Sequence, residues 1–303
     1  MSLSDEIKAK ALQLGFDACG IAKAELLADD ARTLQTWLNK GYHANMSYLE
    51  NHFDKRTNPQ LLVHGAQSVV VVLLNYFPAQ LQPESAPQIA KYAYGKDYHF
   101  IIKEKLKQLQ AFIDGQAPNE SMVYCDSAPV LERRWAQRAG LGWIGKSGLL
   151  IHPTLGSYCL IGELITTLPL DYDTPQKERC GTCTACIKAC PTEALSAYEV
   201  NANRCISYLT IEHRDTISDE FTSRMGNRLF GCDACLDACP WNKKAKAHHT
   251  AELQPHEQLL RLDWNHFSRS TFKQLFKHSA LERAGYQKLK KRLDVILQQD
   301  INK

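Results

Sequence analysis

The stretch CGTCTACIKACP, residues 180–191, sets four cysteines in the pattern C-x2-C-x2-C-x3-C and closes them with Pro191. Three thiolates at this spacing can wrap the irons of one cubane cluster, while the fourth, Cys190, turns away toward a neighbour. A second run, GCDACLDACPWN, repeats the pattern one cysteine short, with Cys232, Cys235 and Cys239 ahead of Pro240. Cys205, upstream of that run, makes up the deficit. Eight cysteines then serve two [4Fe-4S] clusters: Cys180, Cys183, Cys186 and Cys239 hold the first, and Cys190, Cys205, Cys232 and Cys235 the second. Four thiolates also suit zinc, but zinc sites usually pair two C-x2-C halves across a spacer, and the first run has a different form.

The chain has eleven cysteines. The remaining three, Cys19, Cys125 and Cys159, lie in apolar, strand-like contexts and are expected as buried structural residues. Two adjacent cubanes relay single electrons. They do not account for the roughly 170 residues that precede them in this 303-residue chain, and a segment of that size favours chemistry of its own.

Several elements must position these groups. SLSDEIKAKALQLGF opens the chain as an amphipathic helix, with Ser2 and Asp5 spaced as a capping box. SVVVVLLNYF, 68–77, reads as a strand buried on both faces. DYHFIIKEKLKQLQAFID, 97–114, reads as a helix. SMVYCD reads as a strand ending at Asp126, followed by the helix SAPVLERRWAQRAG, which Ser127 or Asp126 can cap and which has Pro129 near its start. SYCLIGELITTL, 157–168, is another strand. Helices and strands thus interleave to about residue 170, giving an α/β or α+β domain over 1–170. A ferredoxin-like cysteine-rich domain occupies 171–242, and a helical, basic region 243–303.

The glycine-rich string GLGWIGKS, 140–147, matches G-x4-G-K-S and also G-x-G-x-x-G. A phosphate loop should follow a strand and open a helix. Here a helical pattern precedes it, and GLLIHPTLGSY follows with a proline and no helical period. The string therefore reads as a loop giving backbone access to some other group, with Lys146 and Ser147 available to a large polar cofactor.

The formal charge is +3, which by itself argues for no particular partner. Its distribution is more informative: LERAGYQKLKKR, 281–292, and WNKKAKAHH after the second cysteine run are basic, as a phosphate-binding face or a solvated one would be. No apolar run approaches the roughly 20 residues that span a bilayer, and MSLSDEIKAK lacks the apolar stretch of a signal peptide. A reducing cytoplasm is the expected location, where close-set cysteines serve as ligands rather than disulfides.

Residues 124–148, YCDSAPVLERRWAQRAGLGWIGKSG, together with LGELITTL, CGTCTACIKACPTEAL, RCISYLTIEHR and GNRLFGCDACLDACPWN, closely resemble the epoxyqueuosine reductase family. The resemblance is strong over about residues 5–242. It weakens in the tail GYQKLKKRLDVILQQDINK, where the family often has a short arginine and asparagine ending or further helical repeats.

The resemblance implies reduction of the epoxide of epoxyqueuosine to the alkene of queuosine at the wobble position of a tRNA anticodon, with two electrons and two protons consumed and water released. It implies a base-off cobalamin between the clusters and a first domain related to the nitroreductase-like fold. It implies Asp126 as proton donor. It further implies cobalamin contacts at Arg56, Tyr98, Asp126, Arg133, Lys146, Ser147 and Gly148, with Ser207 near the clusters. His213 is expected to face cofactor or substrate, or to be structural. Lys243, Lys244, Lys246, Lys288, Lys290, Lys291 and Arg292 are expected to meet tRNA phosphates. A low-potential donor such as flavodoxin or ferredoxin would supply electrons, and a monomer is the simplest assembly. Two rivals share features with this expectation: a dehalogenase-like cobalamin enzyme, which usually carries a twin-arginine export signal, and a plain two-cluster electron-transfer protein.

An epoxide opens toward an alkoxide, a poor leaving group unless protonated, so the reaction needs a general acid. As an acid at neutral pH, Asp126 would need a raised pKa; burial beside an apolar corrin would raise it and the adjacent helix N-terminus would lower it.

Overall fold

The protein is described by a computed structural model covering residues 2–301. Its centre is a four-stranded sheet in which Ala18–Lys23, Ser68–Asn75, Cys159–Thr166 and Ser121–Tyr124 lie side by side in that order. All three pairings are antiparallel. The 68–75 strand is buried along its whole length, as its continuous β-branched run predicts. Such a run is most typical of parallel sheets; here an antiparallel sheet accommodates it because helices cover both faces.

The period of two sorts the side chains. Val70, Val72 and Leu74 face one core with Ile7 and Ala11 of the first helix, Leu3–Gln13, and with Ile102, Leu106 and Leu109 of the long helix Tyr98–Asp114. Val69, Val71 and Leu73 face the other, with Trp135 and Ala136 of the helix Glu132–Arg138. The long helix approaches closely because Gly162 faces it: a Cβ there would lie 2.6 Å from Ile102 Cγ2 and 2.9 Å from Leu106 Cδ1.

The first helix has the expected reciprocal capping box between Ser2 and Asp5. The helix expected from Ser127 starts later, at Glu132, with Leu131 at its N-cap and no side-chain cap. Asp126 is therefore no N-cap. It sits in a turn at φ +55°, and the segment 125–131, interrupted by Pro129, spans the gap before helical geometry begins.

The glycine string forms a hairpin, with Trp143–Ile144 paired to Leu150–Ile151. No helix follows its turn, so it lacks the geometry of a phosphate loop. Each cysteine run carries a short helix, Ala185–Lys188 and Ala234–Asp237.

The C-terminal region is folded onto the rest. A third core joins Ile89, Ala93 and Tyr94 to Leu229 and Phe230 and to Trp264, Phe276, Leu289, Leu293 and Ile296 of the tail. The segments 88–89 and 228–230 pair as parallel strands. Lys91 secures the junction: its backbone N–H donates to Asp233 at 2.8 Å and its ammonium to Asp237 at 2.7 Å. Asp97 N–H donates to the carbonyl of His278 at 2.7 Å, so the tail fixes the turn that opens the long helix. No helix among the described residues is long and apolar enough to cross a membrane.

Candidate functional site

Asp97, two residues before His99 at the start of the long helix, caps that helix by accepting the His99 backbone N–H at 3.0 Å. The same carboxylate takes His99 Nδ1 at 2.6 Å. The other ring nitrogen, Nε2, lies 3.0 Å from Asp126 Oδ2. One helix turn thus aims an imidazole, locked from behind, at the carboxylate on the 125–131 turn. The Asp126 side chain is 57% exposed and that of His99 27% exposed, which places the pair at the mouth of the site.

The electrostatics follow from this geometry. Burial alone works against a charged His99, but the hydrogen bonds to Asp126 and Asp97 outweigh it and push the imidazole up from 6.5 to about 9. The hydrogen bond from His99 holds Asp126 below the usual carboxylate range, helped by Tyr98 and Arg133. At neutral pH the proton therefore rests on His99 and the negative charge on Asp126. The lowering expected from a helix N-terminus has another source: the helix begins too late, and the imidazole is the dominant influence. A His–Asp pair of this kind gives up its proton as a unit.

The residues expected around a cobalamin fall into two groups. Arg133 Nη1 donates to the Gly148 carbonyl at 3.0 Å, and Arg133 also acts electrostatically on Asp126. Gly148 has φ +74°, a conformation glycine adopts readily, and Val200 Cγ2 lies 3.4 Å from where a Cβ would be. Ser147 is buried beside it. Arg56 donates through Nη2 to the Tyr48 carbonyl at 3.1 Å, while its buried Nε has no partner. The Tyr48 phenol feels both Asp126 and Arg56. Asp126, Tyr98, Arg133, Gly148 and Arg56 are thus gathered around one polar region. Ser207 belongs to the other group: its backbone N–H and hydroxyl reach the Cys205 sulfur.

Seven of these eight cysteines fall into two sets of electrostatic neighbours, and Cys180 adjoins the first through its backbone. Cys186 is influenced by Cys239 and Cys183, and Cys239 by Cys183. Cys235 is influenced by Cys232, Cys205 and Cys190. Cys180 stands beside Trp143 and Lys146, and its backbone carbonyl accepts from Cys183 N–H at 3.0 Å. None of the eleven cysteines is in a disulfide. Burial raises the thiols of Cys180, Cys186, Cys205, Cys235 and Cys239, and that of Cys232 to about 11, while the backbone amides of Trp241 and Asn242 oppose it at Cys239. The N–H of Ala194 donates to Cys190 Sγ at 3.3 Å. Amides aimed at sulfur are what metal-bound thiolates require. The buried indole N–H of Trp143 has no oxygen partner and adjoins the Cys180 thiol. Among the described residues, no three His, Cys, Asp or Glu side chains converge as ligands of a single metal ion.

The glycine hairpin bridges the two groups. Lys146 Nζ donates to the carbonyls of Gly181 and Cys183, the latter at 3.0 Å, two residues from where Arg133 grips Gly148. Arg133 and the first cysteine loop are thereby held by one turn.

Other expected residues lie differently. Cys125 is fully buried, whereas Cys19 and Cys159 are partly buried against the sheet cores. Arg292 is buried and donates to the carbonyls of Arg228 and Gly226 at 3.0 and 2.6 Å. Lys288 donates to the carbonyls of Ile211 and His213 at 2.8 and 2.6 Å. These two cations dock the tail and are not presented to phosphates, because the helix Tyr286–Ile301 turns that side to the protein. Lys290 is paired with Asp294 at 2.6 Å. Lys243, Lys244, Lys246 and Lys291 are exposed. His213 packs its ring 5.8 Å from that of Tyr208.

His99 and Tyr48 carried no expectation. The signal for His99 was local, an Asp-x-His at a helix start; Tyr48 reaches the site only through the fold.

A family model described as "4Fe-4S double cluster binding domain" matches residues 179–242, and one described as "Epoxyqueuosine reductase QueG, DUF1730" matches residues 56–127. The chain is 50% identical over 292 residues to the epoxyqueuosine reductase of Leadbetterella byssophila, covering 96% of this chain and 97% of that protein. It is 38% identical over 310 residues to that of Vibrio cholerae, covering 97% and 83%. A crystal structure of epoxyqueuosine reductase with an epoxyqueuosine-modified tRNA-Tyr stem loop superposes with a TM-score of 0.88 at 31% identity, covering 97% of this chain and 80% of that one. A Bacillus subtilis epoxyqueuosine reductase whose catalytic aspartate loop is swung out of the active site superposes with a TM-score of 0.89 at 31% identity, covering 97% and 81%.

Proposed function

This chain belongs to the epoxyqueuosine reductase family, and we propose that it reduces epoxyqueuosine in tRNA to queuosine by delivering protons from the His99 and Asp126 pair beside an electron path through two [4Fe-4S] clusters. The observation that carries this reading is the single hairpin joining the two halves, through Arg133 to Gly148 and through Lys146 to Cys183. Proton and electron delivery then share one wall.

The reaction adds two electrons and two protons to an epoxide and releases an alkene and water. Cys180, Cys183, Cys186 and Cys239 would hold one cluster, and Cys190, Cys205, Cys232 and Cys235 the other, with the amides aimed at their sulfurs supporting the reduced state. Bound there, the clusters would supply single electrons drawn from a low-potential donor such as flavodoxin or ferredoxin.

The first domain is read as a cobalamin-binding relative of the nitroreductase-like fold. The left-handed turn at Gly148, the half-satisfied Arg56 guanidinium and the polar groups of Tyr98, Arg133, Lys146 and Ser147 fit a bulky corrin with amide arms. Bound cobalamin would supply the electron-rich cobalt that activates an epoxide carbon.

The chain's own residues handle the protons. As the C–O bond lengthens and charge develops on the ring oxygen, His99 gives its proton to the Asp126 carboxylate, which passes it to that oxygen; the second proton, which completes water, follows once solvent has reprotonated the pair. Asp97 keeps the Nδ1 side of the imidazole fixed and stabilises its cation before transfer. Arg133 limits the charge change at Asp126. The catalytic loop of the Bacillus subtilis relative swings out; the 125–131 turn carrying Asp126 is its counterpart in this reading, a segment that opens to admit a nucleoside extruded from the anticodon.

The test is nucleoside mass analysis of tRNA carrying epoxyqueuosine after anaerobic incubation with iron-replete protein and a low-potential reductant, with and without cobalamin. Loss of one oxygen mass only with cobalamin is expected. Unchanged nucleoside in a sample with two reducible clusters overturns the reading in favour of an electron carrier.

A further inference from the structure

Beneath the Asp126 turn lies a second pair of carboxyl groups that the proton-transfer steps leave unused. Glu163 sits in the middle of the Cys159–Thr166 strand, opposite Val71 on one side and Tyr124 on the other. The strand's alternation puts it with Ile161 and Ile165 on the face covered by the helix Glu132–Arg138. It is completely buried, and no donor of another residue reaches either carboxylate oxygen. The group it meets is the Glu132 carboxyl. Glu132 in turn accepts the backbone N–H of Asp126, the residue held at φ +55°.

A buried carboxylate without donors is unstable, and two facing carboxylates are more so. Carboxylate oxygens only accept hydrogen bonds, so the pair becomes a bonded one only when a proton lies between them. A left-handed conformation at a residue with a side chain also costs free energy and persists only where its surroundings impose it. The bond from Asp126 N–H to Glu132 is one such constraint.

We propose that Glu132 and Glu163 share a single proton, and that this carboxylic acid–carboxylate pair is a positioning device that holds Asp126 in the conformation in which it meets His99. Glu163 carries the proton and donates it to Glu132, whose remaining acceptor capacity fixes the Asp126 amide. Removing the proton sets two negative charges against each other, drives the Glu132 carboxylate outward and frees the turn. Burial raises both groups, and each is raised further by a neighbouring carboxylate: Asp126 for Glu132, and Glu132 then Asp126 for Glu163. Arg133 and His99 also face Glu132 and favour its anion, which assigns the proton to Glu163. Cys125, beside Glu163, is a neutral thiol at working pH because burial raises it. Lys103 influences Cys125 and reaches Ser127 Oγ at 3.1 Å on the same turn.

The positioning role rests on Asp126 being the proton donor, whereas the shared proton does not. Infrared spectra of the full chain with its clusters bound, in H2O and D2O at neutral pH, should contain a deuterium-sensitive carboxylic acid band that Glu163→Gln removes. Absence of that band in the wild type, or its survival in Glu163→Gln, overturns the shared proton. Hydrogen exchange at the Asp126 amide tests the positioning: Glu132→Ala should accelerate it on the order of tenfold or more, as should Glu163→Leu. Glu163→Gln, whose amide can donate to Glu132 in place of the proton, should retain protection. Unchanged exchange in Glu132→Ala overturns the device. Both readouts are independent of turnover, so failure of the Asp126 assignment, seen as turnover surviving Asp126→Asn, is distinguished from failure of this proposal.

Discussion

His99 Nε2 lies 3.0 Å from Asp126 Oδ2, so the proton donor proposed for this site is an ion pair and not an isolated carboxyl. A carboxylic acid kept neutral in an apolar pocket would have to resist ionisation throughout the catalytic cycle. In the proposed path the proton is stored on a base with a higher affinity for it and is passed through the carboxylate, which itself needs no raised pKa.

Asp126→Asn removes the relay and should lower turnover by about 10²–10⁴-fold, the usual contribution of a general acid, with cobalamin and tRNA affinity retained. Single-turnover kinetics on modified tRNA, alongside cofactor titration, measures both. Turnover within twofold of wild type would remove Asp126 from the proton path.

The His99 imidazole should titrate near 9 in the wild type and nearer 6.5 when Asp126 or Asp97 is replaced by asparagine. Because its folded-state affinity for a proton is raised, the native chain binds more protons than the unfolded one between 6.5 and about 9. The stability this contributes is fully present below 6.5 and is lost as pH rises through about 9. Nitrogen NMR of labelled histidine reads the titration. Urea unfolding of wild type against His99→Gln across that window reads the linkage, the difference between them shrinking as pH rises.

Cys205→Ala should abolish one cluster and leave the other, because Cys205 is the proposed ligand outside both cysteine runs. Iron analysis and electron paramagnetic resonance after reduction should show about half the wild-type iron and a single cluster species. Two intact clusters in this variant would reassign the ligands.

The exposed cations and the buried ones should separate cleanly. Replacing Lys243, Lys244, Lys246 and Lys291 by alanine should weaken tRNA binding and flatten its dependence on salt, by a slope of roughly 0.7–0.9 for each phosphate no longer neutralised. Arg292→Ala leaves the Arg228 and Gly226 carbonyls short of a donor and should cost about 1–3 kcal/mol of stability, detected as a lowered urea midpoint. A flat salt response in the wild type would argue against a phosphate-binding role for the lysines.

The sequence by itself determined the double iron–sulfur cluster domain, because the cysteine spacings that mark it lie within two short runs. It also determined the buried 68–75 strand, the capped first helix and the long helix from 98, since alternation, period and caps are local. The glycine string was correctly separated from phosphate loops by what surrounds it. Tertiary structure decided the rest. Residues 27 positions apart, His99 and Asp126, become one proton site only when the long helix packs on a sheet that carries the 121–124 strand. Glu163 reads as a stray charge in CLIGELIT until Glu132 is set against it. Lys288 and Arg292 look like free basic charge until the tail helix turns them toward backbone carbonyls. Charge, acid strength and orientation depend on neighbours, and long-range packing chooses those neighbours.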